Sequence, residues 1–311
     1  MQKNHKTLAV ACLLTAAVSM LLIGCSVKKP AAKKNPLISN INIVTNCYPS
    51  YIETLNIASG IKGVSIANMN LPTTATSPNE AADKKDIALL KKADIFIVNG
   101  LGIGPSSDVI KKGYPKLFYI DASAAAKPIL QNGLPNPYLF VSIDGNIGQV
   151  REIAAKLADA DPLHAVDYKR NSDTYIEKLE QLQQKMHTAL DQYKGSEVIT
   201  FNAPFTYFSQ EFGLTAAAIS ETTPKNPTNA AVLADAIKIA EEKGIRCIFA
   251  EPQYSTASAA AITRETHAKL YILDPAVTGP STADAYIKTM ENNLIILVGA
   301  LKTTTTQTAI Q

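Results

Sequence analysis

The chain has 311 residues, of which 46% are apolar and 18% are charged. It is therefore long enough for two domains and too apolar to be intrinsically disordered. Its formal charge is +3, but six lysines and no acidic residue precede residue 41, which leaves residues 41–311 with a net charge of −3. Binding to nucleic acid requires clustered positive charge, so we expect no nucleic-acid partner.

The first 40 residues have the pattern of an export signal followed by a tether. An apolar run, Leu8–Ile23, follows a lysine-containing start, as in secretory signal peptides, and it is short for a membrane span. It ends in Leu22–Cys25, which resembles the bacterial lipobox, where cleavage precedes a cysteine whose thiol is then acylated. We predict a signal peptide over 1–24, lipid on Cys25 and a tether over 25–40, which places the protein in the bacterial cell envelope. The alternative is a core helix that buries Cys25.

From residue 41 onward, short apolar runs alternate with amphipathic segments, which is typical of parallel sheets covered by helices. The predicted strands are Ile41–Thr45, Val64–Asn68, Ile95–Asn99, Leu117–Asp121, Val198–Phe201, Leu214–Ser220, Cys247–Ala250 and Leu270–Leu273. The predicted helices between them are Tyr51–Ser59, Asp86–Lys92, Ser106–Lys112, Ala230–Glu242, Ala257–Glu265 and Ser281–Leu301. This order predicts an α/β fold with two Rossmann-like lobes.

Two further helices are expected between the two sets of strands. Gly145–Ala160 carries apolar residues at three- and four-residue spacing, and Pro162 separates it from a second helix over Ala165–Tyr193. We predict that the first of these helices alone joins the lobes and that ligand binds between them, where parallel strands end. The predicted boundaries are 41–143 for the N-terminal lobe, 144–161 for the connecting helix and 162–311 for the C-terminal lobe.

Enzyme signatures are weak. The sequence contains no G-x-S-x-G elbow and no P-loop, and Pro105 occupies the position where a dinucleotide-binding fingerprint beginning at Gly100 needs its last glycine. We therefore predict a tight turn there and a protein that is not an enzyme. A general base at Glu251 or Asp274 is the catalytic alternative.

The cysteines and histidines form no local metal site. Cys47 and Cys247 are 200 residues apart, so a disulfide between them and two separately buried thiols are both open in an exported chain. His164, His187 and His267 have no partner at zinc-ligand spacing, and we expect all three to lie on the surface.

A series of short motifs runs through the chain in a specific order. It comprises the lipobox, Tyr48-Pro49, Lys85-Asp86-Ile87, Ala93-Asp94-Ile95-Phe96, Asn99-Gly100-Leu101-Gly102, Asp161-Pro162, Tyr207-Phe208, Gly213-Leu214, Glu251-Pro252-Gln253 and Leu273-Asp274-Pro275. This order resembles the solute-binding lipoproteins of zinc and manganese ABC transporters, from about Ile41 to Leu301. The resemblance implies two α/β lobes joined by one rigid helix, and a metal ion held between them by three histidines and a carboxylate.

At the positions matching those four ligands, this chain has Asn79, Tyr138, Asn202 and Asp274, so three of the four are altered. Glu251 is a candidate for a second charge. Amide, phenol and carboxylate oxygens suit manganese, magnesium or calcium better than zinc, so we expect weak zinc binding.

The resemblance also implies a role and partners. We expect a monomer that captures a divalent metal ion, zinc or manganese, and delivers it to the permease and ATPase of an ABC importer. The metal is cargo, and no organic cofactor is expected. The alternative, which keeps the fold, is binding of a metal chelate or a small polar solute.

Overall fold

Two four-stranded parallel sheets form the framework of the protein. The structure is a computed structural model that describes residues 40–69, 82–104, 107–131, 133–201, 203–220, 229–253 and 256–308. The first sheet has the strand order β2-β1-β3-β4 and the second has the order β10-β9-β7-β8. In each sheet the chain reverses direction of winding beside a central strand, β1 or β7, which creates the crevice where ligands bind in open α/β folds.

The N-terminal sheet consists of β1 (Ile41–Thr45), β2 (Val64–Asn68), β3 (Ile95–Val98) and β4 (Phe118–Asp121). Helices α1 (Tyr48–Ala58), α2 (Lys84–Leu90) and α3 (Ser107–Gly113) lie between these strands in the chain. A short antiparallel hairpin, β5 (Leu130–Gln131) and β6 (Leu134–Pro135), and a 3₁₀ turn, Leu139–Val141, follow the sheet.

The C-terminal sheet consists of β7 (Glu197–Phe201), β8 (Thr215–Ser220), β9 (Cys247–Ala250) and β10 (Lys269–Ile272). Its helices are α6 (Phe205–Glu211), α7 (Ala230–Glu242), α8 (Ala257–Glu265) and α9 (Ala285–Thr308). In the part of the chain that the structure describes, no helix reaches the combination of length and hydropathy that a bilayer span requires.

Two long helices, α4 (Ile143–Ala160) and α5 (Ala165–Leu190), separate the sheets in the chain, and a 3₁₀ turn follows at Asp191–Tyr193. The Ser142 side chain caps α4 by accepting a hydrogen bond from Gly145 N at 3.0 Å. Both helices carry an apolar stripe, and they pack against each other, while α5 also contacts α1 and α9. The helices therefore form a layer between the sheets.

The main hydrophobic core combines residues of these helices, such as Leu157 and Leu179, with residues of both sheets, such as Ile43 and Phe249. Smaller cores cover the outer faces, one around Phe96 against α2 and α3 and one around Ile248 against α7 and α8. Each sheet is thus covered on both faces, which explains the nearly continuous apolar character of the central strands.

A carboxylate from the C-terminal lobe caps the connecting helix α4. Glu211, at the end of α6, accepts hydrogen bonds from Ile143 N at 2.8 Å and Asp144 N at 3.2 Å. Gln183 of α5 donates to the same carboxylate at 2.7 Å. A negative charge is favourable at a helix N-terminus, so this contact holds the start of the connecting helix against the C-terminal lobe.

The predicted α/β class with two lobes is confirmed, but one expected surface residue is not on the surface. The side chain of His164 is only 12% exposed, and its Nδ1 lies 2.6 Å from Oδ2 of the buried Asp161. The turn that Pro162 forces between α4 and α5 packs this histidine against the carboxylate, so the expectation was wrong. Cys47 and Cys247 are both buried reduced thiols, which fits the interpretation of separately buried cysteines.

Candidate ligand-binding cleft

Asp274 lies two residues after the end of β10, and hydrogen bonds hold both its backbone and its carboxylate. Its backbone N–H donates to Asn293 Oδ1 at 3.0 Å, and its carbonyl accepts from Asn293 Nδ2 at 2.8 Å. Its Oδ1 accepts from Ala276 N at 2.9 Å. Burial raises the pKa of Asp274, and the hydrogen bonds from Ala276 N and Gln253 oppose this rise.

Gln253, which follows β9, contacts this carboxylate. Its Nε2 lies 3.4 Å from Asp274 Oδ1 and 3.1 Å from Thr278 Oγ1, so the amide donates in both directions. Its Oε1 is buried and has no hydrogen-bond partner among the described residues. Sequence analysis placed Gln253 in a loop at a strand end but did not select it as a site residue.

Tyr48, on α1 of the N-terminal lobe, contacts the loop that follows Asp274. Its hydroxyl donates to Pro280 O at 2.9 Å. Burial raises its pKa to about 12, and the negative charge of Asp274 adds to the rise. Gly279 has a φ of +154°, and a Cβ there would lie 2.5 Å from the Tyr48 hydroxyl, so the close approach of the two lobes requires a glycine.

Tyr138 lies in the loop after β6, held by a neighbouring asparagine. Asn136 Oδ1 accepts from Tyr138 N at 3.0 Å, and Asn136 Nδ2 donates across the cleft to Ala203 O at 2.9 Å. The Tyr207 hydroxyl, on α6, donates to Asn136 O at 2.8 Å. Asn136 therefore joins the Tyr138 loop to the segment that follows β7.

Three side-chain amides, those of Asn99, Gln149 and Asn46, form a hydrogen-bond network that holds the backbone of the Tyr138 loop. Asn99, at the end of β3, donates to Pro137 O at 2.9 Å, and Gln149 of α4 donates to Asn99 Oδ1 at 3.2 Å. Asn46 Oδ1, after β1, accepts from Asn99 N at 3.0 Å. The connecting helix and two strand ends thus fix the backbone immediately before Tyr138.

The six residues predicted from the sequence divide into two groups. Asn79, Asn202 and Cys25 lie outside the described residues. Of the others, Glu251 is buried directly after β9, and the hydrogen bond from Leu273 N to Ala250 O, 2.9 Å long, aligns the ends of β9 and β10. Glu251 and Asp274 therefore lie after the carboxyl ends of neighbouring strands, and Asn136, two residues before Tyr138, donates to Ala203 O.

The donor set of the described cleft residues is rich in oxygen. Asp274 provides a carboxylate, Tyr138 a phenol and Gln253 an amide, whereas the Nδ1 atoms of His164 and His187 contact Asp161 and Asp191. Within the described ranges, no group of three His, Cys, Asp or Glu side chains is placed to hold a metal ion. The part of the site that the structure describes does not form a histidine-based zinc centre.

Comparison with known families identifies the fold. Residues 56–300, which include elements of both sheets, match the family described as the periplasmic component A of the zinc-uptake complex, ZnuA. The chain belongs to the ZnuA family. The predicted resemblance to metal-type solute-binding proteins is therefore confirmed.

The similar proteins and solved structures are distant from this chain in sequence. The zinc-binding lipoprotein AdcA of Streptococcus pneumoniae is 28% identical over 96% of this chain, and the match spans 61% of AdcA. The high-affinity zinc uptake system protein ZnuA of Bacillus subtilis is 25% identical over 92% of this chain and 95% of its own length. The solved structure of FpvC from Pseudomonas aeruginosa in complex with Mn²⁺ has a TM-score of 0.74 at 25% identity, covering 85% of this chain and 98% of FpvC.

Proposed function

We propose that this protein is the exported, lipid-anchored solute-binding component of an ABC importer of the metal-ion type. It captures its cargo between the two lobes and delivers it to a membrane permease driven by an ATPase. The observation that carries this proposal is the ZnuA family match over residues 56–300, which spans both lobes and the connecting helix. The lipid anchor rests on Cys25 and on the description of the relative AdcA as a lipoprotein.

The cargo that best fits the available donors is a divalent cation that accepts oxygen ligands. Asp274 and Tyr138, with Asn79, Asn202 and Glu251 as further candidates, offer carboxylate, phenol and amide oxygens. Manganese binds such ligands readily, whereas tight zinc sites use imidazole or thiolate. The relatives named above are described with zinc or with Mn²⁺. Of these two metals, we propose manganese as the cargo of this chain.

A second candidate is a metal chelate or a small polar solute held in the same cleft. The buried, unpartnered Gln253 Oε1 is compatible with it, because this atom accepts hydrogen bonds as readily as it binds a cation. No catalytic step is required by either candidate, and we propose that the protein is not an enzyme.

Titration calorimetry of the metal-free protein with zinc and manganese tests the proposal. We expect zinc to bind at about micromolar affinity or weaker, because three imidazoles are missing from the site. Manganese binding should be lost in Asp274→Ala. It should persist in Asp159→Ala, a matched control whose side chain on α4 is exposed.

Three results would count against this assignment. Nanomolar zinc binding that is abolished by Asp274→Ala would refute the oxygen-ligand cargo. Binding of either metal that is unchanged in Asp274→Ala would remove this residue from the site. Failure of both bare ions to bind would favour the chelate or polar-solute candidate.

A further inference from the structure

The two carboxylate oxygens of Asp274 have different surroundings. Oδ1 accepts hydrogen bonds from Ala276 N at 2.9 Å and from Gln253 Nε2 at 3.4 Å. The backbone on either side is held by Asn293. The carboxylate therefore cannot rotate freely, and Oδ2 is the oxygen that remains for a ligand.

Of the two described donors to Asp274 Oδ1, Ala276 uses its backbone N–H and Gln253 uses its side chain. A substitution can therefore remove only the Gln253 hydrogen bond. Both hydrogens of its amide nitrogen are directed to acceptors, Asp274 Oδ1 and Thr278 Oγ1, which fixes the plane of the amide. Its oxygen is then left buried with no hydrogen-bond partner in the described part of the chain. A buried polar atom without a partner costs about 1–3 kcal/mol, so this oxygen would gain from a ligand that enters the site.

We propose that Gln253 determines the cargo specificity of the Asp274 site. It holds Oδ1, so that Asp274 meets the cargo through Oδ2, and it provides its own amide oxygen as a neutral second ligand. A carboxylate oxygen beside an amide oxygen suits a hard divalent cation such as manganese and offers nothing specific to zinc. This inference rests on the proposed function, because it assumes that the cargo binds at Asp274.

Substitution of Gln253 separates this role from simple structural support. Gln253→Leu removes both the donor and the oxygen, and residues that orient or complete a metal site are typically worth about 10- to 100-fold in affinity. We expect manganese affinity to fall by about that factor and zinc affinity to fall less, so that the ratio of the two affinities changes. Gln253→Glu keeps the shape and an oxygen but loses the hydrogen bond to Asp274 Oδ1, so it should bind manganese more tightly than Gln253→Leu does.

The matched control is Thr278→Val, which removes the other acceptor of the Gln253 amide and leaves Asp274 Oδ1 with its donor. It should leave the ratio of affinities unchanged. Cobalt(II), whose visible absorption reports the number and type of ligands, provides the spectroscopic readout: its spectrum should change in Gln253→Leu and not in Thr278→Val. Thermal unfolding of each variant checks that it is folded.

Two results would overturn the proposal. Equal losses of zinc and manganese affinity in Gln253→Leu, with an unchanged cobalt spectrum, would reduce Gln253 to structural support. Weaker manganese binding by Gln253→Glu than by Gln253→Leu would show that the oxygen is not a ligand. Asp274→Ala separates failure of this inference from failure of the proposed function: if it binds metal normally, the site itself is misplaced, whereas if it does not, only the role of Gln253 is refuted.

Discussion

Replacing Glu53 by glutamine should remove a pH-dependent loss of stability. Glu53 lies on α1 and is 1% exposed. Its Oε1 accepts from Asn146 Nδ2 at 3.3 Å, but its Oε2 has no hydrogen-bond partner among the described residues, and neither has the buried Tyr175 hydroxyl of α5. Burial raises the pKa of Glu53 well above its usual range, because removing an ionised carboxylate from water is costly without a compensating partner.

The direction of the pH effect on the free energy of unfolding follows from how tightly each state binds the Glu53 proton. The folded protein keeps the Glu53 proton to a higher pH than the unfolded chain, where the pKa is the ordinary 4.5. The loss of stability caused by Glu53 is therefore absent below the pKa of this residue in the unfolded chain. It grows as the pH rises and stops growing above the pKa of Glu53 in the folded protein. While only the unfolded chain is ionised, the slope is about 1.4 kcal/mol per pH unit, which sets an upper limit of about 3 kcal/mol between pH 5.5 and pH 7.5.

Urea unfolding followed by circular dichroism at these two pH values measures the effect. The free energy of unfolding of the unmodified protein should fall relative to Glu53→Gln by up to about 3 kcal/mol as the pH rises. Glu177→Gln, which changes an exposed carboxylate on α5, is the matched control and should follow the unmodified protein. If Glu53→Gln and the unmodified protein keep a constant difference across this range, Glu53 is ionised in the folded state and the reasoning is wrong.

Two further predictions concern the anchor and the lobes. Cys25→Ala should abolish incorporation of labelled fatty acid, whereas Cys12→Ala should not; label retained by the Cys25 variant would exclude lipidation at this residue. Small-angle scattering should show little change in radius of gyration when manganese is added, since Tyr48, Asn136 and Glu211 already tie the lobes and restrict closure to a tilt of a few degrees. A large decrease would contradict the rigid connection.

Much of the framework could be predicted because its signals are local. The strands Ile41–Thr45, Val64–Asn68 and Cys247–Ala250 have the bounds predicted from their apolar runs. Pro162 marked the break between α4 and α5, since proline disfavours helix in the residue before it. The N-terminus of α1 was predicted three residues late, because Pro49 suits a first helical turn and the helix begins at Tyr48.

The elements that were missed depend on distant contacts. Helix α6 (Phe205–Glu211) has only seven residues and an aromatic sequence without a clear helical period, and packing of Phe205 and Phe208 into the main core stabilises it. The β5–β6 hairpin pairs two residues on each strand, too few for a periodic signal. Both elements lie next to the Tyr138 loop, so the geometry of this part of the cleft could not be derived from the sequence alone.

The candidate site likewise combines features that the sequence predicts with features that depend on distant contacts. Its positions follow from strand ends, which is how Asp274 and Glu251 were selected. The burial of Glu53 and His164, and the contact between Gln253 and Asp274, depend on which helices and loops meet in three dimensions. The sequence offered one signal for Gln253, its place three residues after the end of a predicted strand, but that signal does not distinguish it from neighbouring residues.

The framework of the cleft and the chemistry of its ligands are separable in this protein. Asn136 bonds the backbone of Tyr138 and of Ala203, and Asn293 bonds both backbone groups of Asp274. These contacts fix the backbone at Tyr138, Ala203 and Asp274, and they do not depend on the side chain at position 138. A different side chain at position 138 is therefore compatible with this loop, as the proposed change in cargo preference requires. If these positions match the metal ligands of the family, the triple variant Asn79→His, Tyr138→His, Asn202→His should bind zinc more tightly in titration calorimetry than the unmodified protein does.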